Sequence, residues 1–281
     1  MALCVGVVFG AKNYLKKDKK WEGVFVMRNY LIKLGSASVV ALSMMLAPLA
    51  HASGNAGNID RVNGKSIFEK GKGDVPACNS CHGADGMGND DMGTPRLAGQ
   101  IYVFLVKQLH DFATDKRQDT TMYVMNANAK GLSEQDRRDV AGYLNSLGRA
   151  FEGKHLQETS GGSDMAALKE SGTEVGKSHL GKVIVNFGVP ERGIPACLSC
   201  HGHAGRGVEP MYPRIGEQKF VYLVSQLKKW RDGSRANDPM KQMQIVAGKM
   251  TDEDILNAAT YLTQAPQTTM GNSRIPVEHL P

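Results

Sequence analysis

The 281-residue sequence predicts an all-α protein built as two tandem copies of one small domain, each a few helices joined by long loops. Three observations predict it. The chain matches itself at an offset of 118–119 residues. Its apolar residues recur at helical spacing, with no strand-like alternation. Gly-rich stretches such as 83–93 separate the helical segments, and loops of that length usually serve function or wrap a ligand.

The repeat is read from matched segments. Val75-Pro76-Ala77-Cys78-Asn79-Ser80-Cys81-His82-Gly83 answers Ile194-Pro195-Ala196-Cys197-Leu198-Ser199-Cys200-His201-Gly202. Pro95-Arg96-Leu97 answers Pro213-Arg214-Ile215, and Leu105-Val106-Lys107-Gln108-Leu109 answers Leu223-Val224-Ser225-Gln226-Leu227. Arg117 pairs with Arg235, Met122 and Met125 with Met240 and Met243, and Tyr143-Leu144 with Tyr261-Leu262. A period this long means duplication of a whole domain, not a solenoid of short units. The expected division is 57–149 for the first domain, 150–167 for a linker, 168–265 for the second domain and 266–281 for a C-terminal tail. Thr159–Ser163, small and polar, supplies the flexible part of that linker.

Within each copy, Ile101, Phe104, Leu105, Leu109 and Phe112 follow helical spacing, as do Phe220, Leu223, Val224, Leu227 and Trp230. Ser133 with Asp136, and Thr251 with Asp254, have capping-box spacing with Asp in place of Glu. They open helices expected to end near Leu147 and Gln264.

Residues 1–52 read as a leader. Met27-Arg28-Asn29-Tyr30-Leu31-Ile32-Lys33 is a short basic start, 37–49 is apolar, and Ala50-His51-Ala52 has the small-x-small pattern of a signal-peptidase site. The apolar run is shorter than the ~20 residues that a spanning helix needs. Cleavage is expected after Ala52, with Met27 as the start and residues 1–26 as an over-extension. The leader carries seven Lys/Arg and two acids, so the net charge of +6 falls to +1 for the remainder, from 34 − 7 = 27 bases and 28 − 2 = 26 acids. Nucleic-acid binding thereby loses its electrostatic support, and the expected compartment is the periplasm.

Four cysteines remain: Cys78, Cys81, Cys197 and Cys200. An even count in an exported chain often means disulfides, but here the cysteines fall in two copies of C-x-x-C-H, the attachment pattern of c-type haem. Two thiols three positions apart neighbour each other on a helical turn and can add across the haem vinyl groups. The adjacent His82 or His201 then reaches the iron. Structural zinc, a redox dithiol and plain disulfides are the competing readings; zinc lacks an obvious fourth ligand, and a thioredoxin-like dithiol lacks its βαβ setting. The cofactors expected are two covalently bound haem c groups. A sixth ligand is sought among the matched methionine pairs, since Met/His ligation is common in such sites. Met125 and Met243 lie eight residues before the helix-opening Ser133 and Thr251 and are preferred, with Met122 and Met240 as rivals.

Together these residues resemble the diheme cytochrome c4 family, two fused cytochrome c-like domains, over residues 57–265. The resemblance rests on the paired attachment motifs, the Pro-Arg-Leu/Ile stretch leading into Gln100 and Gln218, the Leu-x-x-Gln-Leu segments and the Met segments before each last helix. It implies axial pairs His82–Met125 and His201–Met243, and haems close enough for internal electron exchange. It implies that the carbonyls of Pro95 and Pro213 accept a hydrogen bond from the ligating histidines. It also implies a helix crossing at Gly64 and Phe68, and at Gly181 and Val185. The function that follows is single-electron transfer, by a soluble or membrane-surface carrier, between periplasmic or membrane-bound redox proteins such as a donor dehydrogenase and a terminal oxidase or reductase. The alternatives are an electron-transfer subunit of an oxidoreductase such as a flavocytochrome sulfide dehydrogenase, or a diheme enzyme such as a peroxidase or thiosulfate dehydrogenase. An enzyme would need an open or exchangeable ligand, for which His110, His155, His179 and His203 are the candidates.

Overall fold

The computed structural model describes residues 58–119, 123–147 and 162–265. The expected leader, Met122, His155, most of the linker and the tail lie outside the described residues. The first group of helices is α1 (Arg61–Lys70), α2 (Asn79–His82), α3 (Tyr102–Ala113), α4 (Val124–Gly131) and α5 (Glu134–Ser146). The second is α6 (Met165–Glu170), α7 (Ser178–Phe187), α8 (Leu198–His201), α9 (Phe220–Asp232), α10 (Gln242–Ala247) and α11 (Asp252–Thr263). β structure among the described residues is limited to isolated bridges such as Lys72 with Val75 and Val189 with Ile194. The fold is all-α, as the periodicity predicts.

Local chemistry sets the helix ends. Asp60 caps α1 by accepting from the N–H groups of Val62 and Asn63. Both expected capping boxes form, Ser133 with Asp136 and Thr251 with Asp254. Each box aspartate also takes a cation from the loop that leads to its C-x-x-C-H helix. Lys72 Nζ lies 2.6 Å from Asp136, and Arg192 forms a forked pair with Asp254. One carboxylate thus starts the last helix and ties it to the attachment loop.

α1 crosses α5, and α7 crosses α11, each at a glycine. A Cβ on Gly64 would lie 2.1 Å from the carbonyl oxygen of Asp139, and one on Gly181 would lie 1.9 Å from that of Asn257. Only glycine permits this approach. Phe68 fills the first crossing, fully buried, with its ring 5.7 Å from that of Tyr143. Val185 takes the matching place in the second copy, equally buried. Phe220, Met165 and Leu168 belong to the same buried core as Val185. α6 therefore belongs to the second core, although it begins at Met165, ahead of the 168 boundary drawn from sequence. Ser163 is also held, accepting from Phe220 N–H and donating its own N–H to Thr263 Oγ1.

The two cores meet across a polar seam with near twofold symmetry. Gln108 Oε1 accepts from Arg117 at 2.7 Å and from Arg235 at 3.1 Å; Gln226 Oε1 accepts from the same two guanidiniums at 2.9 and 2.7 Å. Each arginine stacks on an aromatic ring of its own copy, Arg117 on Phe112 and Arg235 on Trp230. Burial, with Arg117 next to it, brings Arg235 down to about 9. Burial pushes the Tyr222 hydroxyl up, but Arg117 and Arg235 outweigh it and bring Tyr222 down to about 8.

Two outcomes follow from the packing. Gly64→Ala forces backbone against backbone, and should lower the unfolding free energy of the mature protein by about 2–3 kcal/mol in chemical denaturation; an unchanged midpoint would mean that the crossing is loose. Burial pushes Asp136 up, but donors from Lys72, Ser133 and Asn63 outweigh it and hold the carboxyl at about 2, below its ordinary 3.8. Its stabilisation is complete above the ordinary value and fades as pH falls towards 2. Asp136→Asn should flatten that limb of the pH–stability curve by about 1–2 kcal/mol, the half-exposed Lys72 limiting the effect.

Candidate functional site

The C-x-x-C-H residues form one short helical turn in each copy. His82 N–H bonds the carbonyl of Cys78 at 3.0 Å, and His201 N–H that of Cys197 at 2.9 Å. Ser80 and Ser199 each bond the carbonyl three residues back, at 2.6 Å, closing the turn. The two cysteines of a motif lie one turn apart, on neighbouring points of the helix surface. Burial pushes the thiols of Cys78 and Cys197 up to about 11. This is the opposite of the depression that a redox-active dithiol needs.

The histidines carry the most informative geometry. Both are buried, with 6% and 8% of their surface exposed. His82 Nδ1 lies 3.0 Å from the carbonyl oxygen of Pro95, and His201 Nδ1 lies 2.8 Å from that of Pro213. A carbonyl only accepts, so Nδ1 must carry the proton. Burial lowers the affinity of both rings for a second proton, against the smaller opposing pull of the proline carbonyls. Each ring is therefore neutral, with a bare lone pair on Nε2, the tautomer of a metal-binding imidazole.

The loops hold this arrangement in place. Gly88 N–H bonds the carbonyl of His82 at 2.8 Å, and Gly207 N–H bonds that of His201 at 2.7 Å. Thr94 Oγ1 donates to the Cys81 carbonyl at 2.6 Å. The long Gly-rich loop thus returns the chain to its own attachment helix, delivering the proline carbonyl to the imidazole.

Met125 and Met243 are each the second residue of a short helix, α4 and α10. Both are half-buried. Their N–H groups bond carboxylates: Met125 to Asp119 at 3.2 Å and Met243 to Asp238 at 2.7 Å. A left-handed residue precedes each helix, Tyr123 with φ 56° and Lys241 with φ 56°. Such strain in non-glycine residues persists where the surroundings over-determine it. Met240 is 80% exposed, unlike Met243. His110, His179 and His203 are exposed.

Sequence reasoning did not single out Asp119, Asp238 or Thr94, nor Asn126 and Gln244. Asn126 is buried and bonds the carbonyls of Phe112 and Arg117, while Gln244 bonds Asp238. Asn126 and Gln244 occupy the same repeat position, next to the two methionines, so a signal was available. The donor set of each copy is two thiols one turn apart and an oriented neutral imidazole, with a thioether on the downstream segment. This is the chemistry that a covalently attached haem requires.

Comparison with known proteins gives the same result. Residues 62–148 match the family model for cytochrome c. The chain is 34% identical to a thiosulfate dehydrogenase electron acceptor of Stutzerimonas stutzeri, over 74% of this chain and 89% of that one. It is 32% identical to a cytochrome c4 of Pseudomonas aeruginosa, over 79% of this chain and 94% of that one. Its fold superposes on a solved thiosulfate dehydrogenase of Marichromatium purpuratum with a TM-score of 0.62 and 30% identity, covering 74% of this chain and 40% of that one. With two attachment motifs in tandem cytochrome c domains and these relatives along most of its length, the chain belongs to the cytochrome c4 family of electron-transfer proteins and binds two covalent haem c groups.

Proposed function

We propose that the protein is a periplasmic carrier that accepts single electrons from a dehydrogenase or respiratory complex and delivers them to a terminal oxidase or reductase, with no bond-making chemistry of its own. In this reading Cys78 and Cys81 tether the first haem, and His82 and Met125 ligate its iron. Cys197, Cys200, His201 and Met243 do the same for the second. Bound haem supplies the one-electron Fe(II)/Fe(III) couple. The chain's residues supply the rest. Pro95 and Pro213 hold the Nδ1 protons and so aim Nε2. Asp119 and Asp238 fix the backbone of the methionine segments. With a histidine and a methionine both held as its ligands, each iron would have no position open to a substrate. The observation that supports this most is the duplicated Nδ1-to-proline bond beside a duplicated C-x-x-C-H.

The named relatives favour a particular donor. Similarity to thiosulfate dehydrogenase electron acceptors, and to part of a thiosulfate dehydrogenase structure, supports a second reading in which the chain takes electrons from an enzyme of that kind, as a bound or transient partner. Co-migration with a catalytic subunit through purification distinguishes a bound subunit from a diffusing carrier.

Mass spectrometry of the native protein should show the polypeptide from Ser53 with two haems added. The near-infrared sulfur-to-iron band should count two methionine ligands, and Met125→Ala or Met243→Ala should each remove one of them. A native protein with one such band, or none, would support an enzyme with an open iron instead. Charge gives a further expectation. Residues 57–149 hold 12 bases and 12 acids, whereas 168–281 hold 14 and 11, a balance of +3. Transient redox contacts are steered by charge, so the second domain should meet the more acidic partner. Electron-transfer rates with the two partners should then fall unequally as salt is raised, and equal salt dependence would remove this assignment.

A further inference from the structure

The peptide group joining Pro95 to Arg96 is engaged at both ends. Its carbonyl oxygen accepts from His82 Nδ1 at 3.0 Å, and its N–H donates to Gln218 Oε1 at 2.7 Å. Gln218 belongs to the other copy. The Pro213–Arg214 peptide repeats the pattern in reverse: its oxygen accepts from His201 Nδ1 at 2.8 Å, and its N–H donates to Gln100 Oε1, also at 2.8 Å. Each glutamine completes a two-point clamp by donating Nε2 to the carbonyl of the same arginine, Gln218 to Arg96 at 3.0 Å and Gln100 to Arg214 at 2.9 Å. Both glutamines are buried, with 6% of their surface exposed. The result is two crossed relays, each running from an imidazole N–H through one peptide group to an amide oxygen of the opposite domain.

We infer that Gln218 and Gln100 are positioning residues that tune the reduction potential of the haem held by the other domain. The physical route is short. A peptide N–H that donates pushes electron density onto its own carbonyl oxygen, because chained hydrogen bonds polarise one another. That oxygen then pulls harder on the Nδ1 proton, and the ring becomes the stronger donor through Nε2. A stronger donor favours Fe(III) and lowers the potential; outer-shell partners of ligating histidines act in this way. Burial of all three groups keeps water from substituting for the glutamine. The inference rests on His82 and His201 being the iron ligands, as proposed above.

The experiment uses the mature diheme protein, with a redox titration followed by proton NMR of the haem methyl groups, which reports each haem separately. Wild-type spectra are taken first: fewer than two haems, or a haem without histidine ligation, defeats the ligand assignment before any glutamine is changed. Gln218→Leu removes both hydrogen bonds of the clamp, and should shift the reduction equilibrium of the first-domain haem towards Fe(II) by about threefold to tenfold. Tenfold corresponds to about 59 mV for one electron. Gln100→Leu should do the same to the second-domain haem. Gln218→Glu keeps the acceptor oxygen for Arg96 N–H while losing the donor to its carbonyl. It should leave the first haem at or below its wild-type potential, and it remains a test if the leucine variant misfolds. A clamp that only packs the domains together predicts leucine and glutamate shifts of the same sign. That result overturns the proposal. So do equal shifts at both haems, shifts confined to the domain carrying the substitution, or none.

Discussion

Everything in this fold is arranged around where one imidazole proton goes. A neutral histidine has a single N–H, and whichever nitrogen keeps it cannot bind a metal. In both copies a buried ring gives that proton to a proline carbonyl, leaving Nε2 bare. Burial alone would keep the ring neutral without choosing a tautomer. The carbonyl makes the choice, and it must come from a residue far enough along the chain to loop back. That is why each domain devotes a long glycine-rich stretch to a path that ends 12 or 13 residues after its histidine. The proline contributes no N–H of its own to compete, and its ring restricts the backbone that aims the carbonyl.

The rest of each domain keeps that loop and the attachment turn in register. The glycine crossings bring α1 and α7 into backbone contact with the last helices, and the box aspartates tie those last helices to the attachment loops through Lys72 and Arg192. Displacing α5 or α11 would therefore also displace the turn that carries the cysteines. Stability and site geometry are coupled through the same few residues, which suits an electron carrier. Its geometry has to remain nearly the same in two oxidation states, since any rearrangement on electron transfer would slow the exchange.

Much of this was legible in the sequence. C-x-x-C-H reveals its chemistry because thioether attachment needs a fixed spacing within one chain segment. Ser133–Asp136 and Thr251–Asp254 are legible for the same reason, since a capping box closes within four residues. Helix crossings at Gly64 and Gly181 were reachable only through family resemblance, because nothing local distinguishes a glycine in close contact from one on the surface. The polar seam was the least legible part. Gln108, Gln226, Arg117 and Arg235 appear in the repeat as matched residues, but duplication by itself does not say that matched residues face each other. The second core shows a related limit. Loss of an aromatic at Val185 looks like a packing defect until the buried cluster it joins is seen to include Phe220, Met165 and Leu168. Compensation by residues distant in sequence leaves no local signature.

Departures from the internal symmetry bear on why a protein would keep two such similar sites. If both irons carry His/Met ligands, the ligand set cannot make them different. The difference has to come from the surroundings, and the structure shows where those diverge. Arg96, next to the peptide that orients His82, pairs with Glu217 at 2.6 Å. Glu217 stands where the first copy has Gly99, so the exchange of domains that maps Gln100 onto Gln218 does not map this ion pair onto another. Tyr222, drawn down to about 8 by the two buried arginines, stands where the first copy has Phe104. Both departures lie in the seam, beside the relays, and not on the outer surfaces. Asymmetry placed there changes the surroundings of the two relays while leaving both attachment turns and both helix crossings intact. A duplicated domain can diverge in potential in this way without disturbing the geometry on which each half depends.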